Sequence, residues 1–171
     1  MHNQAKYRTL RETPFFADHR TARPLIAGTI ARGKLDEDKL LTTGKDGDKF
    51  SGVFPFPLTA EVVARGRERF NIYCTPCHGR TGEGRGMVVQ RGYKQPPSFH
   101  DQRLRDIGPG YFFSVITNGF GVMPSYAVQV PVNDRWAIIA YIRALQLSRN
   151  ASFDDLTQDE KAQLTKESSG G

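Results

Sequence analysis

Two cysteines, Cys74 and Cys77, are all that this chain of 171 residues contains, and His78 follows the second directly, in the stretch "NIYCTPCHGRTGEG". Four chemistries use such a spacing. A tetrahedral zinc site needs four ligands, and these three leave a fourth to come from His2, His19 or His100. None of those falls in the short second ligand pair that zinc modules use. A redox dithiol wants its pair at a strand-to-helix junction in a βαβ unit. Here a helical pattern precedes the pair and a glycine-rich loop follows it. A disulfide across two intervening residues would constrain very little chain.

The fourth reading is covalent attachment of haem c, for which Cys-x-x-Cys-His is the signature. The two thiols add to the two vinyl groups on one edge of the porphyrin, and the adjacent imidazole, here His78, reaches under the ring to the iron. The absence of any other cysteine favours this reading. It predicts one haem c, held through Cys74 and Cys77. An electron-transfer haem then needs a second axial ligand, and methionine paired with histidine raises the reduction potential. Met1 lies on the N-terminal arm, and Met87 is too close to His78 to reach the opposite face, so it reads as an ordinary packing or surface residue. Met123, in "GFGVMPSY", is the expected ligand: Pro124 stiffens the chain, and Gly119 and Gly121 permit close approach. The metal ligands are thus His78 and Met123.

The rest of the chain divides into three segments. Residues 1–58 read as an extended arm, broken by Pro14, Pro24, Pro55, Pro57 and several glycines. Within it, Lys39–Phe54 reads as a β-hairpin turning at Gly44–Gly47, with Asp46-Gly47 as the site of positive φ. Residues 59–149 read as a haem domain. Thr59 caps a helix with Glu61 in its first turn, and Val63, Gly66, Phe70 and Tyr73 recur at helical spacing up to Cys74. Residues 79–110 are glycine-rich and irregular. Pro109–Gly119 reads as a short helix, Gly119–Pro131 as a loop, and "VNDRWAIIAYIRALQLS" as a long helix capped by Asn133 or Asp134, with Ile138, Tyr141, Ile142 and Leu145 on its apolar face. Residues 150–171 read as a tail with a Thr157–Glu160 capping box, a short helix to Leu164 and a disordered "ESSGG".

The anionic haem propionates need donors. Arg91, Tyr93, Arg85 and Trp136 are the candidates. His78 is expected to donate its other ring N–H to a backbone carbonyl between Gly86 and Pro97. His100, beside Asp101, reads as a surface histidine. No residue is expected to act as a catalytic acid, base or nucleophile.

Residues 59–149 carry twelve Lys/Arg against six Asp/Glu, and eleven of the twelve are arginine. That balance suits an acidic partner surface or an anionic ligand. Nucleic acid is not expected, because there is no dense basic run and no recognition motif. No apolar stretch is long enough to span a bilayer.

The order of helix, CxxCH, glycine-rich loop, middle helix, methionine loop and final helix resembles the class I cytochrome c fold from Thr59 to Leu147. Phe70 is then expected to pack on Tyr141 where the first and last helices cross, near perpendicular, at Gly66. The fold class expected is mainly α, with the small helical haem domain preceded by the arm and its hairpin.

A narrower resemblance rests on "MHNQAKYRTLRETPFFADHRTARPLIAGTIARG", "FPFPLT", "RGRERFNIYCTPCHGRTGEGRGMVVQRGYKQPPSFH" and "ITNGFGVMPSYAVQVPVNDRWAIIAYIRALQLS". The chain is similar in these, from Met1 to about Leu164, to the monohaem cytochrome c subunit of bacterial alternative complex III, a membrane-bound quinol oxidoreductase. The arm and the RGY-x-x-PPSF stretch are the specific parts.

The resemblance implies an electron-carrier subunit rather than an enzyme. It implies partners in a multihaem cytochrome c subunit as donor, and a downstream oxidase or soluble carrier as acceptor. Family members carry a lipidated cysteine, which this sequence lacks. Haem c is attached outside the cytoplasm, so the expected location is the periplasmic face of the membrane, with a leader, and a possible lipid anchor, upstream of Met1. The alternative is a free periplasmic electron shuttle, for which residues 59–149 suffice and the arm has no role. A peroxidase or gas sensor keeps an open iron position, which Met123 would fill.

Overall fold

The computed structural model describes residues 4–30 and 38–168. It divides into two units, Met1–Glu37 and Asp38–Gly171. In the first, the chain doubles back in an antiparallel bridge between Glu12 and Arg20. The Thr13 N–H donates to the His19 carbonyl at 3.1 Å. Arg23 pairs with Asp18 at 2.7 Å and lies over the Phe16 ring. Leu25 and Ile26 remain 97% and 75% exposed. Among its described residues this unit has turns and one bridge but no helix, as its prolines and glycines require.

The second unit opens with a correction. Lys39–Thr43 is a helical turn (α1) and not a strand. Asp38 caps it by accepting from the Leu41 N–H at 2.9 Å, and Gly44, at φ +70°, ends it in the left-handed region. The hairpin survives only as β1 (Lys45–Asp46) and β2 (Lys49–Phe50), paired Lys45 to Phe50 and Asp46 to Lys49. Gly47 supplies the positive φ of its two-residue turn.

These residues pack within the second unit. The Ser51 N–H donates to the Gly44 carbonyl, and the Gly110 N–H to the Ser51 carbonyl, at 2.9 and 3.0 Å. The Phe54 ring meets Trp136 edge-on. Residues 38–58 thus find hydrogen bonds and apolar partners in the helices that follow and belong to the second unit.

Those helices are α2 (Ala60–Tyr73), α3 (Thr75–His78), α4 (Met87–Gln90), α5 (Gln102–Asp106), α6 (Pro109–Asn118), α7 (Val132–Asn150) and α8 (Gln158–Ser168). Thr59 caps α2 by accepting from the Val62 N–H. The expected Asn133 or Asp134 cap of α7 is absent. That helix begins at Val132 behind Pro131, and the Asp134 carboxylate is held instead by Arg65 of α2 at 2.8 and 2.9 Å. The Thr157–Glu160 capping box forms at the start of α8. That helix continues past Leu164 to Ser168, and the last three residues lie outside the described ones.

The core lies between α2, α6 and α7. Phe70, Phe113, Trp136, Ile138 and Ile139 are at most 1% exposed. Helices α2 and α7 cross at Gly66, where an added Cβ would stand 1.9 Å from the Ala137 carbonyl oxygen and 3.1 Å from the Tyr141 Cβ. Beside the crossing, Phe70 and Tyr141 meet edge-on with ring centroids 5.3 Å apart, as the sequence led us to expect.

Replacing Gly66 by alanine tests this contact. Alanine favours a helix by about 1 kcal/mol, but here its methyl group overlaps backbone that cannot rotate away. We expect a net loss of roughly 2 kcal/mol or more in urea unfolding of the haem-loaded protein. Equal or greater stability would mean that the two helices do not meet at this point.

Candidate functional site

Helix α2 delivers Cys74. The Cys74 N–H still donates to the Phe70 carbonyl, and the His78 N–H donates to the Cys74 carbonyl, both at 2.9 Å. Thus α3 continues α2 by one tight turn, which Gly79 stops at φ +72°. The glycine-rich loop then folds back over that turn. The Gly84 N–H donates to the His78 carbonyl at 2.8 Å and the Gly86 N–H to the Cys77 carbonyl at 3.0 Å. A Cβ on Gly86 would stand 2.2 Å from the Pro76 carbonyl oxygen, so only glycine allows this approach.

The loop also brings Phe99 under the histidine. The Phe99 N–H donates to the Gly82 carbonyl at 2.9 Å, and the Phe99 and His78 rings stack at 4.6 Å. His78 departs from expectation in one respect. No carbonyl between Gly86 and Pro97 accepts from it; its Nδ1 is buried with no partner among the described residues, and the ring lies flat on Phe99. Burial holds its pKa down to about 4, so the imidazole is neutral. Both cysteines are free. Burial first, and then the charge of Cys77, pushes the Cys74 thiol up to about 12.

Met123 sits on a loop held at both ends. Its backbone bridges Phe120, with the Phe120 and Met123 N–H groups each donating to the other's carbonyl at 3.0 Å. Gly119, at φ +79°, lies close under it: a Cβ there would be 2.6 Å from the Met123 carbonyl oxygen. The Met123 side chain is partly buried against the core, as are Cys74 and Tyr126. Met87, by contrast, is 55% exposed. Burial raises the Tyr126 pKa, with Cys77, Cys74 and Tyr93 adding to the effect, so the methionine loop lies within electrostatic reach of the cysteine pair.

The expected propionate donors separate. The Tyr93 hydroxyl donates to the Val122 carbonyl at 2.8 Å and so ties the glycine loop to the residue before Met123. Arg91 and Arg85 are exposed. Trp136 is corrected: it is fully buried, stacked on Phe113 at 4.7 Å, and its one N–H donates to the Leu41 carbonyl at 2.7 Å. An indole has a single donor, so none is left for a propionate. A cleft of about 590 Å³ opens elsewhere, lined by Lys39, Thr43, Lys45, Thr117 and Asn118 among others, and includes none of the site residues.

Sequence reading missed Arg135. It is 6% exposed, with Nε donating to the Val130 carbonyl, one terminal nitrogen to Thr117 Oγ1 and the other to the Ala127 carbonyl, at 2.8, 3.0 and 2.9 Å. Burial lowers its pKa below the ordinary guanidinium value. A charge at the head of the apolar run "WAIIA" was the available signal.

The donor set is two free thiols, a neutral buried imidazole with an unpaired ring nitrogen, and a partly buried thioether. It fits covalent haem c, and among the described residues no further Cys, His, Asp or Glu joins it to complete a zinc site. Residues 61–142 match the family described as cytochrome C oxidase, cbb3-type, subunit III. This part of the chain is a cytochrome c domain. Such domains carry covalent haem c, transfer electrons and are usually extracytoplasmic.

No curated protein sequence matches the chain. Solved structures similar to it include the following two. One is the reducing HAO-like protein complex of Kuenenia stuttgartiensis, at 20% identity and TM-score 0.48 over 63% of this chain and 54% of that one. The other is cytochrome CL of the marine methylotroph Methylophaga aminisulfidivorans, at 20% identity and TM-score 0.43 over 71% and 83%. The chain thus spans about half the length of the first. No helix among the described residues is long and apolar enough to cross a membrane.

The Trp136 assignment is testable. Trp136→Phe should cost roughly 2 kcal/mol or more, from lost packing and an unpaired Leu41 carbonyl. The haem midpoint potential should stay at the wild-type value. A shifted potential with unchanged stability would return the indole to the cofactor.

Proposed function

We propose that the cytochrome c domain holds a single haem c through Cys74 and Cys77, with His78 and Met123 as axial ligands, and that it works as a docked subunit of a membrane quinol oxidoreductase of the alternative complex III kind. The haem supplies reversible one-electron chemistry. The chain supplies burial, ligand placement and a route for electrons. The observation that carries the reading is the joining of the two loops. Tyr93 hydrogen-bonds the Val122 carbonyl beside a partly buried Met123, while the glycine loop carrying Tyr93 is bonded through Gly84 and Gly86 to the CxxCH turn.

The electron route follows from exposure. Val88, Tyr93, Phe120 and Val122 are 37–68% exposed. They are contiguous: the Tyr93 N–H donates to the Val88 carbonyl and the Tyr93 hydroxyl to that of Val122. Apolar contact there, beside a glycine loop that carries the exposed Arg80, Arg85, Arg91 and Lys94, suits transient docking of an acidic redox partner. Separate surfaces for donor and acceptor are what a subunit needs. Residues 4–30, with Leu10, Leu25 and Ile26 exposed, offer a second surface for fixed contact with the donor subunit.

Two measurements test this. Met123→Ala should lower the midpoint potential by at least about 0.1 V, a fraction of the range that axial ligands control. An unchanged potential would remove Met123 from the iron. Detergent extraction of the native protein should yield it in a stable assembly with a multihaem cytochrome c. A lone monomer would leave the free shuttle as the reading.

A further inference from the structure

We propose that Arg135 is a positioning residue that locks the base of the Met123 loop and so sets how often Met123 leaves the iron. The proposal rests on Met123 being the second axial ligand. The loop begins where α6 ends, after Asn118, and finishes at Pro131 where α7 starts. Arg135 joins its two ends. One terminal nitrogen of the guanidinium reaches Thr117, before the loop; the other and Nε reach Ala127 and Val130, after Met123. Three donors in a fixed plane thus meet three acceptors from two chain segments, which a lysine could not do.

Nothing else explains a buried cation here. No ion pair to Arg135 occurs among the described residues, and the adjacent Asp134 is engaged by Arg65. The Phe113 ring lies 5.5 Å from the guanidinium carbon. Two further bonds tie the end of α6 to the loop after Met123: the Ser125 hydroxyl to the Thr117 carbonyl, 2.5 Å, and the Tyr126 N–H to the Ile116 carbonyl, 2.9 Å. Desolvating a guanidinium is costly unless its donors are satisfied, so the fork is held in this one arrangement, and the loop with it.

The readout is binding of imidazole to the ferric haem-loaded protein. Imidazole enters only when Met123 has left, so its apparent affinity scales with the fraction of open loop. Arg135→Gln should tighten imidazole binding by at least about tenfold, and Thr117→Val, which removes one arm of the fork, by about threefold. Arg143→Gln is the control. Arg143 lies on the same helix but holds the Leu104, Arg105 and Ile107 carbonyls, so its loss should cost stability without changing imidazole affinity.

Met123→Ala sets the ceiling. If it binds imidazole more tightly than wild type while Arg135→Gln and Thr117→Val do not, the lock is wrong and the ligand assignment stands. Equal tightening in Arg135→Gln and Arg143→Gln would mean general loosening and would also overturn it. If Met123→Ala itself gains nothing, the ligand assignment fails instead. Should Arg135→Gln not accumulate with haem, Thr117→Val decides alone.

Discussion

Everything at the site hangs from the contact between Gly66 and Ala137. Only the missing side chain lets α2 and α7 approach until backbone touches the space a Cβ would fill. Arg65, one residue before, clasps Asp134, three residues before Ala137, so a paired fork fixes the same crossing from the rim. Phe70 then lies against Tyr141, and Cys74 follows one turn later with its amide still in the α2 ladder. The position of the cysteine pair is thereby set by helix packing and not by the loop around it.

Helix α7 has a second duty. Much of this unit is irregular, and irregular backbone leaves carbonyls that burial would strand. Four side chains of α7 answer them: Arg135 for the methionine loop, Trp136 for Leu41, Arg143 for the α5 region, and Gln146 for Phe99 at 2.7 Å. Because these donors come from one rigid rod, the loops on either side of the site are held in a common frame. That is why an arginine and a glutamine sit at 6% and 5% exposure in a helix whose buried face is otherwise mostly Ile, Ala and Trp.

The helices were largely legible in the sequence. Thr59, the spacing of Gly66 and Phe70, and Thr157 with Glu160 each gave a local signal that the structure follows. Misreadings came where two local signals competed. Lys39–Phe54 alternates enough to suggest a long hairpin, yet Asp38 and Gly44 cap a helical turn at its start. Asp134 looks like a helix cap, yet a bidentate arginine from sixty-nine residues away offers it more than two backbone amides would. Trp136 is a candidate propionate donor by its indole N–H, yet that N–H is taken by the Leu41 carbonyl, ninety-five residues distant.

What the sequence alone determined is the chemistry: Cys74, Cys77 and His78 stand at a spacing that one covalent cofactor demands, and covalent spacing is a local property of the chain. What only the tertiary structure decided is which polar groups are free to serve that cofactor. Tyr93 is turned to Val122, Trp136 to Leu41 and Arg135 to the methionine loop, while His78 Nδ1 lies unpaired on Phe99. The partner of Trp136 is ninety-five residues away and that of Tyr93 twenty-nine, and no local pattern encodes a partner that distant.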